Sequence, residues 1–169
     1  MVRREKEKTA VLILSAAIFT LCLFPDIGQN MGLYAGCPLG NRLAYSFFHA
    51  NIFHAAINVW CLLSIVFIYN ISWRYLLTAY CIAVSFPDVF LVATPTVGLS
   101  GICFALLGRI AFLAERKWYY QKWMAAILCI GFLLPGTAAS LHLYCYVVGL
   151  LIAAINTPMS VFRKGGSHG

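Results

Sequence analysis

The sequence predicts an all-α membrane protein: a bundle of six transmembrane helices with both termini on the cytoplasmic side. Three observations predict it. Of 169 residues, 62% are hydrophobic and only 10% charged, and the mean hydropathy of +0.85 lies outside the range of soluble domains. Six apolar runs divide the chain, without the alternation that a membrane barrel requires. The basic residues collect in alternate connections between those runs.

The runs cover residues 9–24, 53–70, 75–92, 97–114, 122–134 and 138–156. Backbone in hydrocarbon must satisfy its own hydrogen bonds, so each is expected as a helix. The first follows Arg3, Arg4, Lys6 and Lys8, as the core of a signal peptide would. No small-residue cleavage site comes after it, and it is retained as a span. The fifth is short for a hydrocarbon core of ~30 Å.

The N-terminal segment, Arg74, the group Arg116, Lys117 and Lys122, and the tail with Arg163 and Lys164 alternate with connections that hold only Arg42. This places residues 1–8 and 158–169 in the cytoplasm as tails, flanking a membrane core over 9–157. The net charge of +7 is accounted for by this orientation, so a lipid bilayer and not nucleic acid is the expected partner. Arg109, near the cytoplasmic end of the fourth run, can snorkel. Asn70-Ile71-Ser72 matches a glycosylation acceptor, but on the cytoplasmic side it is a chance match.

Six of the seven cysteines lie in apolar runs, Cys37 alone in a polar segment, and no CxxC pair occurs. They read as small core residues, and neither a disulfide framework nor a metal site is expected. Residues 25–52 form the one long loop, where contacts to a partner or substrate would lie. Trp73, Tyr75, Trp118, Tyr119, Tyr120 and Trp123 cluster near span ends as an interfacial belt.

Polar residues recur at one depth in the second, fourth and sixth runs. His54 lies 16 residues before Asn70, Ser100 lies 15 before Glu115, and His142 lies 16 before Pro158. At a rise of ~1.5 Å per residue, all three sit roughly 22–24 Å above the cytoplasmic ends. That is one layer just below the outer surface. Gly101, Ala105 and Gly108 form a small-residue face on the fourth run, and Gly149 and Ala153 continue the His142 face on the sixth. Such faces allow close backbone approach, which would bring Ser100 beside His142. His54 and Asn58, four residues apart, share one face of the second run.

A serine between glycines in a membrane helix is a packing device or a nucleophile. Packing alone accounts for Gly98-Leu99-Ser100-Gly101, whereas an ionisable histidine inside a membrane points to function. A nucleophilic serine needs a base, and His142 is the titrating group at its depth. No carboxylate lies at that level in the three runs, which implies a dyad. Asn58, His54 and the Ser100 amide at a helix start could donate to an oxyanion. The GxSxG elbow of soluble hydrolases is absent, because Ile102 occupies its last position. His49 and Asn51 read as interfacial, and a His49/His54 metal pair lacks HExxH spacing and a nearby carboxylate. Asp88, after Pro87, reads as a surface or structural charge.

His54-x-x-x-Asn58, Gly98-Leu99-Ser100-Gly101 and a histidine on the sixth run, in that order, resemble a rhomboid intramembrane serine protease over residues 9–157. The stretch from Asn41 to Asn58 resembles that family's passage from first loop into second span. The resemblance implies a Ser100–His142 dyad, an oxyanion site of His54, Asn58 and the Ser100 amide, and an aromatic residue, Phe104, packed on the histidine. Gly98, Leu99, Gly101 and Gly149 are its supporting positions. It implies no cofactor, transmembrane protein substrates, and a bacterial inner-membrane location with the site towards the extracytoplasmic side. The sequence departs from the family pattern in three ways. Asn41-Arg42 stands for the usual Trp-Arg, Cys145 for a glycine, and the first loop is short. The expected function is therefore cleavage of transmembrane segments through an acyl-enzyme. The alternatives are a catalytically silent relative that binds or escorts such segments, and a small transporter, for which no inverted repeat is visible.

Overall fold

Each of the six apolar runs contains a helix in the computed structural model of the protein, which describes residues 2–24 and 30–156. The helices are α1 (Val2–Leu21), α2 (Leu39–Ala44), α3 (Ile52–Tyr69), α4 (Trp73–Val84), α5 (Ser100–Ile110), α6 (Lys117–Leu133) and α7 (Ala139–Asn156). Short 3-10 turns cover Tyr45–Phe47 and Asp88–Phe90. One antiparallel bridge, Leu33 with Thr96, ties the first loop to the segment before α5, and all regular elements among the described residues are helical. The expected tail over 158–169 lies outside the described residues.

Among the described residues two helices, α3 and α7, are long and apolar enough to cross a membrane by length and composition. The others fall short for identifiable reasons. α1 begins at Val2, so the basic segment continues into the helix and charges its first two turns. The run over 75–92 is helical only to Val84, because Phe86 precedes Pro87 and such a residue is disfavoured in the helical region. The run over 97–114 becomes the 11-residue α5, about 16 Å long.

Local chemistry sets the boundaries of α3. Asn51 caps its start, its side chain accepting from the His54 N–H at 2.9 Å. Asn70 ends it in the left-handed region at φ 49°, a conformation that asparagine tolerates well. The glycosylation-like asparagine is thus a helix cap.

α5 is the centre of the packing, with Gly101, Ile102, Cys103, Ala105, Leu106, Gly108 and Ile110 all buried. Its tightest partner is α7. A Cβ at Gly108 would overlap the Tyr146 carbonyl oxygen, and a Cβ at Gly149 would overlap that of Ala105. The expected small-residue faces therefore meet, backbone against backbone. α6 packs more loosely, with only Met124 and Leu128 buried.

Candidate active site

Ser100 is the first residue of α5 and His142 lies in the first turn of α7. The close α5–α7 approach brings them together, with His142 Nε2 at 2.9 Å from Ser100 Oγ. The Phe104 ring, one turn below the serine, stacks on the imidazole with centroids 4.4 Å apart and planes 15° apart. A hydroxyl in this contact can pass its proton to the ring as it attacks a carbonyl. The stack fixes the plane of the ring, a task often done by a carboxylate elsewhere.

The residues before the serine are shaped by glycine. Gly98 has φ 125°, a conformation that side chains rarely adopt. A Cβ there would also sit 2.9 Å from His54 Cε1 and 3.4 Å from Asn58 Nδ2. His54 and Asn58 therefore both lie against the chain two residues before Ser100. Ser100, His54 and His142 line one open cavity of about 740 Å³, together with Phe86, Thr137 and Ser140 among others. Asn58 is buried and does not line it; its Nδ2 donates to the His54 carbonyl at 3.1 Å. The first amides of α5 have no partner within their own helix by construction, and they lie at the serine's end of it.

Three supporting features were not legible as such in the sequence. His49, expected at the interface, is buried, and its Nε2 accepts from the Leu99 N–H at 3.3 Å. Its ring meets His54 edge-on, with centroids 5.2 Å apart. Burial first, and then the neighbouring His54 imidazole, lower its pKa to about 4, so it is neutral at physiological pH. Tyr45 is fully buried; its carbonyl accepts from the Gly98 N–H at 3.1 Å, and its hydroxyl donates to the Ala83 carbonyl at 3.0 Å. Arg42 donates to the carbonyls of Val84 and Phe86, at 3.0 and 2.6 Å, and pairs with Asp88. Arg42 therefore satisfies carbonyls left over where α4 ends, and Asp88 is its counter-ion.

The departures from the resembled pattern also have partners. Asn41 Nδ2 donates to the carbonyls of Asn30 and Gly32, at 2.6 and 3.1 Å, and so holds the first loop. Cys145 is fully buried, and its sulfur would be 3.4 Å from a Cβ at Gly101. The larger residue on α7 thus packs over a glycine on α5. Leu99 is fully buried under the site. Among the described residues, no group of three or more His, Cys, Asp or Glu is placed to hold a metal ion. Comparison with protein-family models, curated proteins and solved structures finds no match to the chain.

Proposed function

We propose that the protein is a rhomboid-type intramembrane serine endopeptidase that cleaves transmembrane segments of other proteins. The observation that carries the reading is the 2.9 Å contact between Ser100 Oγ and His142 Nε2, made across two helices. In this proposal the six helical runs all lie in a bacterial inner membrane, with both termini cytoplasmic. The charge pattern of the connections supports that topology. Helices of 11 and 12 residues would be completed to membrane depth by the packed segments that flank them.

The reaction begins when Ser100 Oγ attacks the scissile carbonyl carbon and His142 takes its proton. Negative charge on the carbonyl oxygen is met by the Ser100 amide and His54, with Asn58 behind them. The intermediate collapses as His142 protonates the leaving amine, leaving an ester on Ser100. Water from the open cavity hydrolyses the ester, again with His142 as base. A helical substrate hides its carbonyls in hydrogen bonds, so cleavage requires local unwinding, and helix-breaking or small residues near the cut are favoured.

The test is cleavage of a labelled single-span protein by purified wild type, Ser100→Ala and His142→Ala. Wild type is expected to cleave and both variants to lose at least ~10³-fold. Equal cleavage by all three refutes the dyad. If wild type does not cleave and a fluorophosphonate fails to label Ser100, the protein is a binding relative and not a protease.

A further inference from the structure

Arg109 occupies the other end of α5 from the serine. Its guanidinium carbon lies 3.1 Å from the centroid of the Tyr75 ring, and its Nε is buried without a hydrogen-bond partner among the described residues. Arg109 lines a cavity of about 60 Å³ between α4, α5 and α7, bounded also by Thr78, Gly149 and Asn156. Ala79, Ala105, Gly149 and Ala153 contribute little side chain to its walls. A water needs roughly 10–15 Å³ by a comparable measure, so the space takes about four waters, close to the four oxygens of a phosphate.

No carboxylate among the described residues cancels the charge there. The sequence has five acidic residues. Glu5 pairs with Lys8, Asp88 with Arg42, and Glu7 accepts from the Trp73 N–H. Glu115 is exposed beyond the end of α5, and Asp26 lies outside the described residues. No carboxylate among the described residues pairs with Arg109. The C-termini of α5 and α7 together offset about one charge and the N-terminus of α4 returns about half, so a net positive charge of about one half is left. Asn156 donates one amide hydrogen to the Ile152 carbonyl, which leaves the second for a ligand.

We propose that this cavity binds a phosphate group, supplied by the headgroup of an anionic phospholipid. A guanidinium held over an aromatic ring, its carbon 3.1 Å from the centroid, is positioned to offer its remaining donors to phosphate oxygens. The lipid source follows from the walls, where Ile82, Leu106 and Ile152 offer apolar surface beside the cation. The site rests on the membrane topology proposed above, which puts this end at the cytoplasmic leaflet, but not on the proteolytic reading.

The test uses the full chain with Ser100→Ala, purified in a neutral detergent, so that catalysis plays no part. Thermal unfolding is followed while phosphatidylglycerol, phosphatidylcholine or inorganic phosphate is titrated. Phosphatidylglycerol is expected to raise Tm saturably and phosphatidylcholine not to. Adding Arg109→Gln is expected to raise the midpoint for phosphatidylglycerol at least tenfold. Because that variant also loses the Tyr75 stack, Asn156→Glu is the second probe. It sets a carboxylate at the exposed end of α7, and the same tenfold loss is expected. Equal responses to both lipids, or unchanged midpoints in both variants, overturn the site. A variant-sensitive rise with inorganic phosphate alone overturns the lipid source and assigns the cavity to the free anion.

Discussion

Gly149→Ala tests the link between helix packing and the dyad, because it adds one methyl where α7 touches α5. The new Cβ would lie 2.9 Å from the Ala105 carbonyl carbon and closer still to its oxygen. Both are backbone atoms, so no side chain can rotate away. Ordinary contact with the oxygen at 3.4 Å requires the helices to part by about 1 Å. His142 lies seven residues above on the same helix, and its bond to Ser100 Oγ is 2.9 Å long. Hydrogen bonds weaken beyond about 3.2 Å, so even partial transmission of that shift breaks the contact. A misplacement of about 1 Å costs ~10²-fold in rate, and the shift here predicts a loss of about 10- to 10²-fold. Overpacking costs about 1–3 kcal/mol, which leaves a lowered but measurable Tm. The readouts are cleavage of a single-span substrate and the rate of fluorophosphonate labelling at Ser100. Gly131→Ala on α6 is the control, since its Cβ would meet only Ala139 at 3.9 Å. A folded Gly149→Ala protein that cleaves and labels within threefold of wild type would refute the coupling of packing to chemistry.

His49 predicts an acid-dependent stability. Its folded pKa is about 4 against an ordinary 6.5, so the unfolded chain takes up a proton first as pH falls. The stabilisation is complete above pH 6.5 and is lost as pH drops towards 4, by at most about 3 kcal/mol. His49→Gln should flatten that part of the stability profile; parallel profiles for variant and wild type between pH 7 and 4.5 would show that His49 is not the group. Arg42 and Asp88 are separable although they form one ion pair. Asp88 has a side chain 73% exposed, so Asp88→Asn should cost less than about 1 kcal/mol. Arg42→Met strips the donors from two carbonyls at the end of α4 and should cost about 1–3 kcal/mol more. Equal losses in chemical denaturation would contradict the carbonyl role.

What was legible depended on whether the constraint acts along one helix or between distant loops. Helical period placed Ser100, His142, His54 and Asn58 at one depth, and small residues at i, i+4 and i+7 marked the α5–α7 seam. Both follow from spacing alone, and the Ser100–His142 contact is their joint consequence. His49 was misjudged because its environment is made by Leu99, fifty residues away, and not by its sequence neighbours. The same holds for Arg42, whose partners are the carbonyls of Val84 and Phe86. Backbone carbonyls leave no mark in composition. The end of α4 at Val84 did carry a signal in Pro87, which hydropathy outweighed in reading residues 75–92 as one span.

The shortness of α5 connects the packing to the proposed chemistry. A helix of 11 residues covers about 16 Å, roughly half of a hydrocarbon core of ~30 Å. In the topology proposed above its first residue falls below the outer surface, and the chain from Ser85 to Leu99 must descend to meet it with a single 3-10 turn, Asp88–Phe90, of its own. Such backbone is tolerated at depth only where other protein groups satisfy it. Here Arg42 takes the carbonyls at one end, Leu33 pairs with Thr96 in the middle, and Tyr45 and His49 take the amides of Gly98 and Leu99 at the other. All four partners come from the first loop and the turn before α3. That segment thus lets a serine begin a packed helix at an open cavity, and under the proposed function this is the arrangement that hydrolysis inside a membrane requires.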